Sequence, residues 1–127
     1  MKDQKEQMTI GQLLKAMAQE LGEESETMGF LSQLNEKAVF EHAANKNFAM
    51  AGGKIPPRYK LLMSIAISAA LGVEHCINTY TQVALRNGIG NDEILEAILL
   101  ARFVKGTTAL STSTAAFKMM IEHEKNG

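Results

Sequence analysis

Cysteine is almost absent from this sequence, since Cys76 is the only one in 127 residues. A single cysteine cannot form a disulfide within the chain, which excludes a disulfide-stabilised secreted scaffold. The longest apolar run, residues 61–71, contains two serines and is too short to cross a bilayer. The first eight residues are polar and charged, unlike a secretory signal. We therefore expect a cytoplasmic protein without a membrane anchor.

The sequence also has no excess of positive or negative charge. The 13 basic and 14 acidic side chains leave a formal net charge of -1, so no broad electrostatic field would attract nucleic acid or an anionic membrane. Hydrophobic residues make up 46% of the chain, which is typical of a folded protein. A chain of this length can bury a core without disulfides or metals, so we expect one domain over residues 1–127.

Strand-like alternation is missing, and apolar residues instead recur at helical spacing along the chain. Thr9 is a suitable N-cap for a first helix that Gly22 ends. The clearest break between helices is the segment from Gly52 to Pro57, because its two glycines can end a helix and its two prolines cannot continue one. About six helices are predicted, over about residues 9–21, 27–50, 57–71, 73–86, 91–106 and 107–124. Helices with short joins predict an all-α orthogonal bundle.

The predicted third helix, residues 57–71, is apolar nearly all round. A helix without a wide polar face is buried on several sides, and in so small a domain this indicates contacts between subunits. Its one narrow polar stripe is Lys60, Ser64 and Ser68, at a spacing of four residues. The stripe could line a substrate pocket, or its serines could bond to carbonyls of their own helix.

The segment from Gly72 to Tyr80 is the strongest candidate for chemistry. Cys76 falls in the first turn of the predicted fourth helix, where backbone amides favour a thiolate over a thiol. Thr79 and Tyr80 follow three and four residues later and share its face, whereas neighbouring His75 points about a hundred degrees away. The functional interpretation is a nucleophilic or peroxide-reactive thiol. The alternative is a buried structural cysteine, the usual state of a free one.

The three histidines are His42, His75 and His123, and none belongs to a His-x-x-x-His pair. A metal site is therefore not predicted. His42 shares its helix with Glu41 and Lys46, which indicates a solvated face. The sequence contains no phosphate loop, dinucleotide fingerprint or nucleophile elbow, so we expect no cofactor.

From about Lys60 to Phe117 the chain resembles the carboxymuconolactone decarboxylase family, which includes the AhpD-like proteins. The resemblance is carried by segments on either side of the candidate thiol, at Lys60–Gly72, Glu74–Ile77, Ala84–Gly88 and Asp92–Ala97. It implies an all-α AhpD-like fold with a family-like core over about residues 35–120. It also implies assembly into a homo-oligomer, a trimer or a hexamer.

The AhpD-like branch reduces hydroperoxides with a glutamate, a Cys-x-x-Cys pair and a histidine. The resemblance places these four groups at Leu61, Val73, Cys76 and Tyr80, so only the second cysteine is retained. Without a cysteine at position 73, no disulfide can close within one subunit. Without the glutamate and histidine, the family's imidazole–carboxylate pair cannot accept the thiol proton.

Three functions remain open. The first is peroxiredoxin-like reduction of hydroperoxides through one thiol, with an external thiol as reductant. The second is a decarboxylase-type enzyme acting on a small carboxylated lactone, and the third is a non-catalytic oligomeric binding protein. The candidate catalytic residues are Cys76, Tyr80 and His75, and the candidate substrate-binding residues are Lys60, Ser64 and Thr79.

Overall fold

Seven helices and no strand occur in residues 8–127, the part of the chain that the computed structural model describes. The prediction of an all-α fold is confirmed. In chain order the helices are α1 Ile10–Leu21, α2 Glu26–Leu34, α3 Glu36–Ala51, α4 Pro57–Leu71, α5 Glu74–Arg86, α6 Asn91–Ser111 and α7 Thr114–Asn126. Among these residues no helix is both long and apolar enough to span a membrane.

The second predicted helix is in fact two helices, which is why the count is seven rather than six. Asn35 separates them with an extended backbone, at φ -161° and ψ 101°. Its amide donates to the carbonyl of Leu31 at 2.7 Å, and its side-chain oxygen accepts from the amide of Ala38 at 3.3 Å. One asparagine therefore ends α2 and caps α3, a role that its short polar side chain suits.

The fifth predicted helix does not end at Gly106 but continues to Ser111 as part of α6. The hydroxyls of Thr107 and Thr108 donate to carbonyls one turn earlier, at 2.7 and 2.6 Å, and so stay within the helix. Asn91 is the first residue of α6 rather than its cap, because the N-cap position belongs to Gly90. Residues 107–111, predicted to open the last helix, therefore close α6.

The core lies where α4 packs against α5 and α6. Its buried apolar members come from those three helices and the turn before α6, and they are Leu61, Ile65, Ala84, Ile89 and Ile94. Gly72 joins α4 to α5 with φ +73°, a left-handed conformation that residues with a Cβ rarely adopt. Helix α1 packs against α2, α3 and α5. Helix α5 thus packs against both the core helix α4 and α1.

The C-terminal part of the fold is almost entirely exposed. Beyond Ala101 no side chain is buried, although this stretch carries many large apolar residues. Phe103 and Leu110 on α6 are 68% and 65% exposed, and Met120 on α7 is 65% exposed. The described chain therefore leaves apolar faces of two helices without a partner.

Candidate functional site

Cys76 lines a cavity of about 290 Å³ between the α1–α2 connection, α3 and α5. This volume is at the lower end of the range for small-molecule sites. Its walls combine apolar, hydroxyl, imidazole and charged side chains, namely Met17, Leu21, Glu23, Glu24, Ser25, Thr27, Met28, His42, Lys46, His75, Cys76, Thr79 and Tyr80. A larger groove of about 630 Å³ between α1 and α2 contains neither a thiol nor an imidazole.

The thiol sits in the first turn of α5, as the sequence predicted. Cys76 is the third residue of that helix, and its side chain is half-buried. Val73 occupies the N-cap position and supplies no side-chain hydrogen bond. The first intrahelical bond runs from the amide of Ile77 to the carbonyl of Val73 at 3.1 Å. The amides of Glu74, His75 and Cys76 therefore precede the first backbone hydrogen bond of the helix, whereas the amide of Val73 donates to the carbonyl of Ser68 at 3.1 Å.

Thr79 and Tyr80 lie on the cavity wall beside Cys76, as their spacing predicted. Thr79 is buried, and its hydroxyl donates to the carbonyl of His75 at 2.9 Å. Because this proton is used in a hydrogen bond to the helix backbone, the hydroxyl oxygen of Thr79 can act toward the cavity only as a hydrogen-bond acceptor. Tyr80 is half-buried and packs against the core as well as the cavity. His75 also lines the cavity, and its side chain is exposed.

Lys60 and Ser64 are not brought to this cavity. The ammonium of Lys60 donates to the carbonyls of Ala49 and Gly52, at 2.9 and 3.1 Å. The hydroxyl of Ser64 donates to the carbonyl of Lys60, and that of Ser68 donates to the carbonyl of Ser64, both at 2.8 Å. The polar stripe of α4 thus satisfies backbone groups, which is the second of its two interpretations.

His42 and Lys46 line the cavity, and His42 is exposed, in agreement with the solvated face that the sequence indicated for it. Val39, His42 and Lys46 recur at i, i+3 and i+7 and so share one face of α3. On that face Val39 is fully buried, Lys46 is half-buried and His42 is exposed. The ammonium of Lys46 pairs with the carboxylate of Glu20 on α1 at 2.8 Å. The recurrence with Val39 is the signal that could have identified both residues.

The positions where the resemblance places the family's other groups have separate environments. Leu61 is buried in the core with Ile65 and is not part of the cavity wall. Val73 is 42% exposed at the start of α5. No three histidine, cysteine, aspartate or glutamate side chains within residues 8–127 are placed to hold a metal ion.

The fold and this cavity define a small all-helical protein with one thiol at the start of a helix. The sequence model of the Carboxymuconolactone decarboxylase family matches residues 37–119, and the chain belongs to that family. The chain is also similar to the crystal structure of a protein from Methanobacterium thermoautotrophicum, with 26% sequence identity and a TM-score of 0.66. That similarity covers 68% of this chain and 98% of the other. No curated protein matches the chain.

Proposed function

We propose that this protein reduces small organic hydroperoxides through the single thiol of Cys76. The observation that carries the proposal is the position of the thiol, in the first turn of α5 and on the wall of a small cavity. The cavity gives a small substrate access to the sulfur atom of Cys76. Apolar Met17, Leu21 and Met28 suit the organic part of the hydroperoxide.

The chemistry needs one thiolate and two external thiols per turnover. The thiolate attacks the terminal oxygen of the hydroperoxide, the O–O bond breaks, and the products are a sulfenic acid on Cys76 and an alcohol. A low-molecular-weight thiol condenses with the sulfenic acid, releasing water and forming a mixed disulfide. A second such thiol then displaces Cys76 and leaves as the external disulfide. An external reductant fits a chain with Val73 in place of a second cysteine, and a reducing cytoplasm.

The charges around the cavity favour a neutral hydroperoxide over a carboxylated lactone. Glu23 and Glu24 both line the cavity, and the one lysine there, Lys46, already pairs with Glu20. An anionic substrate would meet two carboxylates with no free ammonium to offset them, which raises the cost of binding it. We therefore place hydroperoxide reduction before decarboxylase-type chemistry.

The test compares the wild-type protein with Cys76→Ser. We expect the wild type to consume tert-butyl hydroperoxide in the presence of dithiothreitol, and a sulfenic-acid reagent to label Cys76 after peroxide alone. Cys76→Ser should lose both signals while keeping the helical circular dichroism spectrum. Undiminished peroxide consumption in Cys76→Ser would exclude the thiol mechanism. A wild-type protein that neither consumes peroxide nor becomes labelled would favour the non-catalytic binding function.

We further propose that the chain works as a homo-oligomer, a trimer or a hexamer. Its accessible surface is 10155 Å², whereas a globular monomer of this size exposes about 6,700 Å². The excess, about 3,500 Å² per chain, is within the range of area that obligate assemblies bury. A second copy of the chain is therefore the partner that fits the apolar faces of α6 and α7.

Light scattering coupled to gel filtration tests the assembly. The wild type should have three or six times the mass of one chain. Phe103→Glu, which places a charge on the exposed apolar face of α6, should lower that mass, since an unpaired charge at a packed interface is costly. The matched control is Gln33→Glu on exposed α2, which adds the same charge without removing an apolar side chain. A monomeric wild type would contradict the proposal.

A further inference from the structure

We propose that α7 of one subunit docks in a groove between α4 and α6 of a second copy of the chain. This inference rests on the proposed homo-oligomer and adds to it the surfaces that join two subunits. Every residue of α7, from Thr114 to Asn126, is exposed. Within residues 8–127, α7 takes no part in the packing that joins α1 through α6. The last helix therefore lies outside the core of its own chain.

In the described part of the chain, α7 has few local interactions that stabilise it on its own. An isolated helix of about 12–15 residues is marginal in water, and α7 has 13. Its N-cap residue Ser113 makes no side-chain cap hydrogen bond, and its first turn has no acidic residue. The ion pair on α7, between Lys118 and Glu122 at 4.0 Å, has the lysine first, which is the less favourable order. Helix α7 therefore needs an apolar surface to pack against.

Three apolar residues define the docking face of α7. Phe117, Met120 and Ile121 recur at i, i+3 and i+4 and so lie on one side of the helix, where Met120 is 65% exposed. Lys118 and Lys125 lie three residues before and four residues after Ile121, so both border this face on the same side. The docking face is thus apolar with a basic edge.

The groove between α4 and α6 has the complementary character. Its volume is about 380 Å³, and its apolar lining comes from Tyr59, Leu62, Met63, Ala66, Ala97 and Leu100. Glu93 and Glu96 line it from the first two turns of α6. Arg58 pairs with Glu93, whereas Glu96 makes no ion pair within residues 8–127. An apolar groove with an available carboxylate suits a helix face that lysines border.

Helix α7 leaves this groove open in its own chain. The groove lies along residues 93–100 of α6, whereas α7 begins at Thr114, beyond the other end of that helix. Residues 101–111 of α6 span about 16 Å along the helix axis, which separates the start of α7 from the groove. A second copy can place its α7 in this groove and receive α7 in return. Such an exchange covers both apolar surfaces at once, in agreement with the large area that the single chain exposes.

The experiment uses disulfide formation between introduced cysteines, in full-length chains that carry Cys76→Ser so that no other thiol is present. Met63→Cys in the groove and Met120→Cys on α7 are placed in the same chain, which is oxidised at low protein concentration. We expect most chains to become linked to one another, giving covalent species of two or more chains on a denaturing gel without reductant. The control combines Met63→Cys with Ala115→Cys, on the exposed side of α7 away from Phe117, and should give at most about a tenth as much linked product.

Light scattering measures the same contact without a disulfide. Met120→Glu should raise the protein concentration at which half of the assembly dissociates by at least about 100-fold, because it places an unpaired charge in an apolar groove. Ala115→Glu adds the same charge on the opposite side of α7 and should change that concentration less than about threefold. Equal effects of the two substitutions would contradict the assigned docking face.

The outcomes separate this inference from the proposed assembly. A monomeric wild type would refute both. If the wild type contains three or six chains but Met63→Cys and Met120→Cys form no disulfide between chains, the docking of α7 is refuted and the assembly stands. A disulfide within one chain, seen as loss of both thiols without an increase in mass, would show that α7 folds onto its own α4. Equal linkage in the Ala115→Cys control would show that α7 has no fixed seat, which also refutes the inference.

Discussion

The ammonium nitrogen of Lys60 lies 2.9 Å from the carbonyl oxygen of Ala49, and 3.1 Å from that of Gly52. Both carbonyls belong to the C-terminal end of α3, where the backbone has no further helical donors. The negative end of the helix dipole favours a cation there. Lys60, near the start of α4, therefore connects two helices across the loop that contains Gly53 and Pro56.

Replacing Lys60 with methionine should lower the free energy of unfolding by about 1–2 kcal/mol, because two charge-assisted hydrogen bonds are lost at a partly exposed site. Chemical denaturation measures the change. Lys54→Met, on the exposed loop, is the control and should change stability by less than about 0.5 kcal/mol. The alkylation rate of Cys76 should be the same in all three proteins. A slower alkylation rate in a fully stable Lys60→Met variant would show that Lys60 acts at the substrate site after all.

Replacing either of two glycines, Gly22 or Gly29, with alanine should change the free energy of unfolding, but in opposite directions. Gly22 ends α1 with φ +86°, and a Cβ there would lie 3.2 Å from the guanidinium of Arg86, which itself donates to the carbonyl of Glu20. Gly22→Ala should therefore cost about 1–2 kcal/mol. Gly29 lies within α2 with open space around it, so Gly29→Ala should stabilise by up to about 1 kcal/mol. Equal changes in the two melting temperatures would contradict this assignment of strain.

Leu61 should behave as a core residue rather than a lost catalytic position. Its side chain packs with Ile65 and Ala84, so Leu61→Ala should destabilise the protein by about 2–4 kcal/mol. Leu34→Ala, at an 84% exposed position, is the control and should cost less than about 0.5 kcal/mol. Leu61→Glu should destabilise the fold and leave peroxide turnover no higher, because the new carboxylate would lie in the core. Faster turnover in Leu61→Glu would show that this side chain reaches the thiol.

Val73→Cys should create a disulfide with Cys76 inside one subunit. Residues three apart at the start of a helix are close enough for disulfide geometry, and the side chain of Val73 is partly exposed. After peroxide treatment, the variant should lose both free thiols and keep the mass of one chain under denaturing conditions. The control is Asn78→Cys, because residues two apart on a helix do not face each other. Two free thiols remaining in oxidised Val73→Cys would contradict the predicted geometry.

Local signals allowed much of the fold to be predicted. The capping box at Thr9, the start of α4 at Pro57 and the left-handed turn at Gly72 all act within a few residues. The boundary at Asn35 was missed because asparagine is compatible with a helix interior as well as a cap. The end of α6 was misplaced because Gly106 has an ordinary helical backbone there and apolar residues continue beyond it.

Only the part of the candidate site that lies on one helix could be predicted from the sequence. Cys76, Thr79 and Tyr80 belong to one helix, and helical spacing placed them together. His42 is 34 positions away from Cys76, and its helix could have turned either its polar or its mixed face to the interior. The packing of α3 places His42 on the cavity wall, where its side chain stays exposed. The same packing placed Lys60 over the end of α3 and so removed it from the thiol.

The sequence by itself determined the helical class of this protein and the position of its one thiol in a helical first turn. These properties follow from composition and from interactions along a few residues of chain. Only the tertiary structure decided which polar side chains surround that thiol. Distant helices meet according to how their apolar faces pack, and that packing placed His42 on the cavity that Cys76 lines while directing Lys60 to the backbone of Ala49.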